Sequence, residues 1–264
     1  MSKKLVVGNW KMNLTVPEST ILIEKLKKEL SKIKNAEMVI CPTFLDIYAA
    51  SKELNGENIS VGSQDLYFEE SGAYTGEISA LQLKNFVKYA IVGHSERRSY
   101  FSESDKIVAK KAAAAYSQGI IPIICVGETY HEKQDGLSKL VVMNQIEAAL
   151  SLLTAVEVAD IVIAYEPIWA IGSGLVCNPA DMAIMAKNIR GLVSALYGKE
   201  ASTGLRILYG GSVNSDNAKE VSMVEGIDGV LVGGASLDHV KFSAIVKDFN
   251  KKQSSTKAKK KIQK

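Results

Sequence analysis

Glu166 closes the apolar run Ile161-Val162-Ile163-Ala164-Tyr165 and is followed by Pro167-Ile168-Trp169-Ala170-Ile171-Gly172-Ser173-Gly174. A carboxylate at the end of a buried strand, opening onto a segment stiff in front and glycine-rich behind, suits a base covered by a moving loop. Such a base needs partners that stabilise negative charge as it develops. Lys11 stands after the first apolar run, His94 after the fourth, and Gly210-Gly211 and Gly233-Gly234 after the seventh and eighth. Each has a bland reading: an ion pair for Glu166, a solvated amine for Lys11, a structural imidazole for His94, tight turns for the glycines. Their shared position, at the ends of apolar runs, favours chemistry. Lys11 lies between the apolar Trp10 and Met12, so it is expected to be partly buried beside an acid, with Glu96 the candidate. His131 and His239 sit in polar contexts and read as surface residues.

The elements that must position these groups are eight short runs. They are Leu5–Val7, Met38–Ile40, Ile59–Val61, Tyr89–Val92, Ile120–Val126, Ile161–Tyr165, Arg206–Tyr209 and Gly229–Val232. They are nearly continuous rather than alternating, as parallel strands covered on both faces are. Helical patterns fill the gaps. Leu22, Leu26, Leu30 and Ile33 form one stripe. Asn178 caps a second helix with Pro179 at its first position and Met182, Met185, Ile189, Leu192 and Leu196 on its inner face. Asn214 or Ser215 starts another, and the last runs from about Leu237 to Phe249. The pattern is α/β, and eight strand–helix units match a (β/α)8 barrel. An open doubly wound sheet would bring a dinucleotide fingerprint or a phosphate loop ending in Gly-Lys-Ser/Thr, and the chain has neither.

The chain has 264 residues, 47% of them hydrophobic and 23% charged, enough for one sizeable core. The net charge of +3 is set by residues 251–264, which carry seven lysines and no acid; without them the body is at −4. Residues 1–250 are expected to form one domain, with 251–264 a lysine-rich, disordered tail. No aromatics interleave those lysines, so no nucleic-acid partner is expected. No run reaches the roughly 18 apolar residues of a membrane span, and the start lacks the apolar stretch of a signal peptide. Cys41, Cys125 and Cys177 are odd in number and far apart, which fits buried reduced thiols and a cytoplasmic location. No His/Cys/Asp cluster has metal-ligand spacing, so neither metal nor cofactor is expected.

Read together, Gly8-Asn9-Trp10-Lys11-Met12-Asn13, Gly93-His94-Ser95-Glu96-Arg97-Arg98, Ala164 to Gly174, Tyr209-Gly210-Gly211-Ser212-Val213-Asn214 and Val232-Gly233-Gly234-Ala235-Ser236-Leu237 resemble the triosephosphate isomerase family. The resemblance runs from Lys4 to about Phe249. It implies a single TIM barrel that interconverts dihydroxyacetone phosphate and glyceraldehyde 3-phosphate, in glycolysis and gluconeogenesis, without a cofactor. It implies Glu166 as base, a neutral His94 as electrophile, Lys11 as fixed positive charge and Asn9 as a substrate contact. Gly172, Ser212, Gly233 and Gly234 match the backbone phosphate site, and Glu96 stands behind Lys11. Pro167, Ile168, Trp169, Ala170, Ile171, Gly172, Ser173, Gly174, Leu175 and Val176 match the lid. Tyr74, Thr75 and Gly76 match a loop that enters a partner subunit, so a homodimer is implied. The chain departs from the family pattern at Leu175-Val176-Cys177, where a lysine and a small residue are usual, at Asp65 for Asn, at Ser102 for Gly, and in its basic tail. Asp65 is expected to bring negative charge close to Lys11. Two other functions fit the same barrel: a Schiff-base aldolase with Lys11 as nucleophile, and an inactive barrel serving as a binding module.

Overall fold

The computed structural model describes residues 3–172 and 175–251. Eight parallel strands close into one barrel in sequence order. They are β1 (Lys4–Asn9), β2 (Ala36–Cys41), β3 (Ile59–Ser63), β4 (Tyr89–Val92), β5 (Ile121–Val126), β6 (Val162–Tyr165), β7 (Arg206–Tyr209) and β8 (Gly229–Val232). The seam pairs β1 with β8, Leu5 opposite Gly229 and Gly8 opposite Val232. Gly229 is required there: a Cβ on it would stand 1.8 Å from the Leu5 carbonyl oxygen.

The strands are apolar on both faces because both are buried. Leu5, Val7, Val39, Ile91, Ile123 and Leu208 point inward and fill the barrel with Cys41 and Cys125. Val6, Met38, Ile40, Ile124, Ile163 and Val230 point outward and pack under the helices, with Leu22, Leu26 and Leu30 among their partners. Truncating such a fully buried leucine to alanine costs about 2–5 kcal/mol. The floor of the barrel is polar. Arg206 donates to Glu37 at 2.8 Å and to the Tyr89 hydroxyl at 2.8 Å, and Tyr89 donates to Glu37 at 2.7 Å. Three strands thus meet through one carboxylate at the end away from the loops that carry the glycines.

Several helices differ from expectation. Asn178 does cap the helix Pro179–Gly204, accepting from the Asp181 N–H at 2.8 Å. Its buried face runs through Met182, Met185, Ile189 and Val193, whereas Leu196 is exposed. The expected stripe alternates steps of three and four, 3.5 on average, which falls behind the 3.6-residue turn by about 20° per heptad, so burial passes by a step of four from Ile189 to Val193 instead. The next helix starts later than expected, at Ala218. Asn214 instead forms the preceding turn, accepting from the Asp216 and Asn217 N–H groups. After β8 a short 3-10 turn, Gly234–Leu237, precedes the last helix His239–Asn250, which Asp238 caps. No helix among the described residues is long and apolar enough to cross a membrane. Apart from Lys251, the lysine tail lies outside the described residues.

Candidate active site

The C-terminal ends of the strands surround a cavity of about 250 Å³. That is below the roughly 300–1,000 Å³ of pockets for drug-sized ligands, so it suits a small molecule. Lys11, His94 and Glu166 all line it, and so do Asn9, Gly172, Ser212, Gly233 and Gly234. Residues far apart in sequence therefore share one mouth.

Glu166 is 2% exposed. Its backbone is fixed first, because its N–H donates to the Val126 carbonyl at 2.7 Å. Its carboxylate accepts the Ser95 N–H at 3.2 Å, and its other oxygen lies 3.3 Å from His94 Nε2. Cys125 also touches it; burial pushes that thiol well up, and Glu166 adds to the shift. Two glycines make room: a Cβ on Gly127 would stand 1.7 Å from the Glu166 carbonyl oxygen, and one on Gly210 would stand 2.7 Å from Glu166 Cγ.

His94 is itself the N-cap of the helix Ser95–Tyr100. Its Nδ1 accepts the Glu96 N–H at 3.2 Å. That bond uses the Nδ1 lone pair, which puts the ring proton of neutral imidazole on Nε2, the atom facing Glu166. One helix start thus presents successive N–H groups, Ser95 to the carboxylate and Glu96 to the imidazole.

Lys11 sits in the left-handed region at φ 53°, which costs a residue with a side chain about 1 kcal/mol. The turn is held from both sides. The Lys11 N–H donates to Asn9 Oδ1 at 3.1 Å, and Gln64 donates to the Lys11 carbonyl at 2.8 Å and the Cys41 carbonyl at 3.0 Å. Lys11 Nζ contacts Glu96 Oε1 at 2.5 Å, the acid expected beside it. Met12 does not help bury it, being 94% exposed; the turn throws Met12 outward while Trp10 points into the core.

Asp65 corrects the expectation of negative charge near Lys11. It pairs instead with Lys111 at 2.6 Å and Arg97 at 2.9 Å, with Glu103 on the same Lys111 at 2.5 Å. Burial pushes Asp65 above the usual carboxylate range, with Lys111 opposing the shift and Glu103 adding to it. Ser102 takes φ 55°, a conformation that suits the glycine usual at that position.

The segment after Glu166 begins as a 3-10 turn, Ile168–Ala170, as the ring of Pro167 allows. Its anchor is Glu128, which gave no signal in the sequence. The buried Glu128 carboxylate accepts Trp169 Nε1 at 2.8 Å and the Tyr165 hydroxyl at 3.2 Å, and its carbonyl accepts the Ile168 N–H at 3.0 Å. At the far end the Cys177 N–H donates to the Tyr209 hydroxyl at 3.3 Å. Ser173 and Gly174 lie outside the described residues. Tyr74, Thr75 and Gly76 form an exposed turn, with the Tyr74 ring 4.8 Å from that of Tyr67.

Comparison with known proteins agrees with this geometry. The family model of triosephosphate isomerase matches residues 4–249. A triosephosphate isomerase of Thermoanaerobacter sp. (strain X514) is 45% identical over 247 residues, 93% of this chain and 99% of that protein. One from Clostridium tetani is 46% identical over 249 residues, 93% of this chain and 96% of its own. One from Carboxydothermus hydrogenoformans is 43% identical over 248 residues, 94% and 99% of the two chains.

Proposed function

The chain belongs to the triosephosphate isomerase family and is an isomerase of triose phosphates, and on that premise we propose how its residues divide the work. Glu166 takes a proton from the carbon next to the carbonyl of dihydroxyacetone phosphate. The electron pair moves into a carbon–carbon double bond and the carbonyl oxygen becomes negative. His94 donates its Nε2 proton in a hydrogen bond to that oxygen, and Lys11 adds positive charge. His94 then passes its Nε2 proton to that oxygen and takes one from the hydroxyl on the adjacent carbon, while the Glu166 carboxyl returns its proton to the carbon that bore the carbonyl, giving glyceraldehyde 3-phosphate. This division is the known one of the family. The reaction so written needs no metal or organic cofactor.

The observation that carries the assignment is the 3.3 Å approach of Glu166 to His94 at the wall of a cavity that Lys11 also lines. A dry carboxylate is a stronger base than a hydrated one, because desolvation disfavours its charge. Gly172, Ser212, Gly233 and Gly234 are assigned to the phosphate, since main chain without bulky side chains lets N–H groups approach an anion. Asn9 orients the same end of the substrate. Residues 167–176 serve as the lid that excludes water and so prevents the enediolate from losing phosphate. A Schiff-base aldolase would need the Lys11 amine free to attack a carbonyl, whereas its Nζ is held by Glu96 Oε1 at 2.5 Å.

We further infer a homodimer working in the cytoplasm, with residues 1–250 as its catalytic body. Large apolar residues stand exposed after neighbouring strands: Met12 after β1, Leu45 and Tyr48 after β2, Tyr74 after β3, Tyr100 and Phe101 after β4. A patch of that kind favours a partner. The three cysteines are free and buried, which suits a reducing compartment.

Glu166→Asp tests the base. It retracts the carboxylate by one methylene and is expected to lower kcat at least 100-fold with a modest change in KM. Conversion of glyceraldehyde 3-phosphate followed in a coupled assay reads it, and kcat within threefold of the parent removes Glu166 from the role.

A further inference from the structure

The loop after β5 grips the front of the lid at three points, and Glu128 makes only two of them. The third is Lys133, whose Nζ lies 3.2 Å from the centroid of the Trp169 ring. Lys133 belongs to the short helix Tyr130–Gln134, whose start is fixed by a reciprocal cap. The Thr129 N–H donates to Glu132 at 2.7 Å and the Glu132 N–H to the Thr129 hydroxyl at 3.3 Å. The Lys133 N–H continues the turn to the Thr129 carbonyl at 3.0 Å. An exposed lysine is thus carried on a fixed base and lays its cation on an indole face, which attracts it through the negative ring quadrupole. The same charge reaches the rear of the lid. Burial pushes the Cys177 thiol up to about 12, Asp181 adds to the shift, and Lys133 works against it.

We propose that Lys133 is a positioning residue for the isomerisation: its ammonium, seated on the Trp169 ring, pins the front hinge of the lid. Trp169 lies three residues after Glu166 and three before Gly172, so what fixes its ring also limits where the base and the front of the phosphate site stand. Glu128 holds the ring by its edge, through Nε1, and Lys133 holds it by its face. Together they stop the rotation about the hydrogen bond that either alone permits. Lys133 touches neither the cavity nor the reacting atoms; it acts through Trp169.

This rests on residues 167–176 being the lid, and the experiment separates the two claims. The full chain and its Lys133→Met, Lys133→Arg and Trp169→Phe variants are compared for kcat, KM, inhibition by phosphoglycolate, and inorganic phosphate released per turnover. The phosphate reports enediolate lost to elimination when the lid is loose. Removing one exposed cation–ring contact is expected to weaken phosphoglycolate binding about two- to fivefold and to raise phosphate release, while Lys133→Arg, which keeps a stacking cation, restores both. Unchanged values for Lys133→Met beside raised release in Trp169→Phe overturn the role of Lys133. Lys133→Arg behaving as Lys133→Met also overturns it. Unchanged release in Trp169→Phe removes the lid itself.

Discussion

Gly210→Ala probes the site without replacing any residue assigned to the chemistry. Gly210 follows β7, and its φ lies outside the left-handed region, so alanine adds no backbone strain. The added Cβ would stand 2.7 Å from Glu166 Cγ, where ordinary contact begins at 3.4 Å, so a displacement of about 0.7 Å is needed. The backbones resist it. The Gly210 N–H is bonded to the Tyr165 carbonyl at 2.8 Å, and the Glu166 N–H to Val126 at 2.7 Å. The Glu166 side chain must give, leaving the Ser95 N–H and His94. A misplacement near 1 Å costs about 100-fold in rate, so kcat is expected to fall roughly 10- to 100-fold. Overpacking costs about 1–3 kcal/mol, partly offset by the loss of glycine freedom in the unfolded chain, so the protein still folds. Saturating coupled assays read the first effect and thermal unfolding the second. Gly191→Ala is the control, since nothing lies within 4 Å of its Cβ. A folded Gly210→Ala enzyme with kcat within twofold of the parent would show that the carboxylate tolerates the shift, and the argument from geometry fails.

Two further outcomes concern stability. Burial works against the charge on Glu37, but Lys88, Tyr89 and Arg206 overcome it and hold its carboxyl at about 2, against an ordinary 4.5. A value lowered on folding means stability present above pH 4.5 and lost as pH falls towards 2. Glu37→Gln is therefore expected to cost ~2 kcal/mol at pH 7, discounted for its solvent-facing side, and less at pH 3; urea titrations giving equal losses at both pH values would refute this. Ser102→Gly relieves a left-handed φ of 55° and is expected to raise stability by ~0.5–1 kcal/mol, or about 1–4 °C in Tm. An unchanged or lower Tm would mean that the serine is not strained there.

The strands were legible because both faces are buried: a run such as Ile121–Val126 carries no polar residue to confuse its period. Their ends were less so. Asn9, Cys41 and Ser63 continue β1, β2 and β3 past the apolar runs, since pairing with neighbours and not hydrophobicity decides where a strand stops. Lys11, His94 and Glu166 stood out by residue type and place. Glu128, Gln64 and Gly127 did not. Gly127 matters because the chain ends of β5 and β6 approach closely, and Gln64 because it reaches the carbonyls of Lys11, after β1, and Cys41, at the end of β2. Such needs arise between elements and leave no local pattern. Asp65 shows the same limit in reverse: its nearness to the site loops was readable, but its direction, towards Lys111, depended on which way the chain turned after β3.

The seam between β1 and β8 also bears on synthesis. Leu5 is made early, yet its neighbour Gly229 leaves the ribosome 224 residues later, about 10–45 s at ordinary elongation rates of 5–20 residues per second. Through that interval the first strand has one hydrogen-bonding edge with no native neighbour. Such an edge can recruit other nascent chains. Translation speed and chaperone supply should therefore govern yield more than the stability of the finished enzyme does.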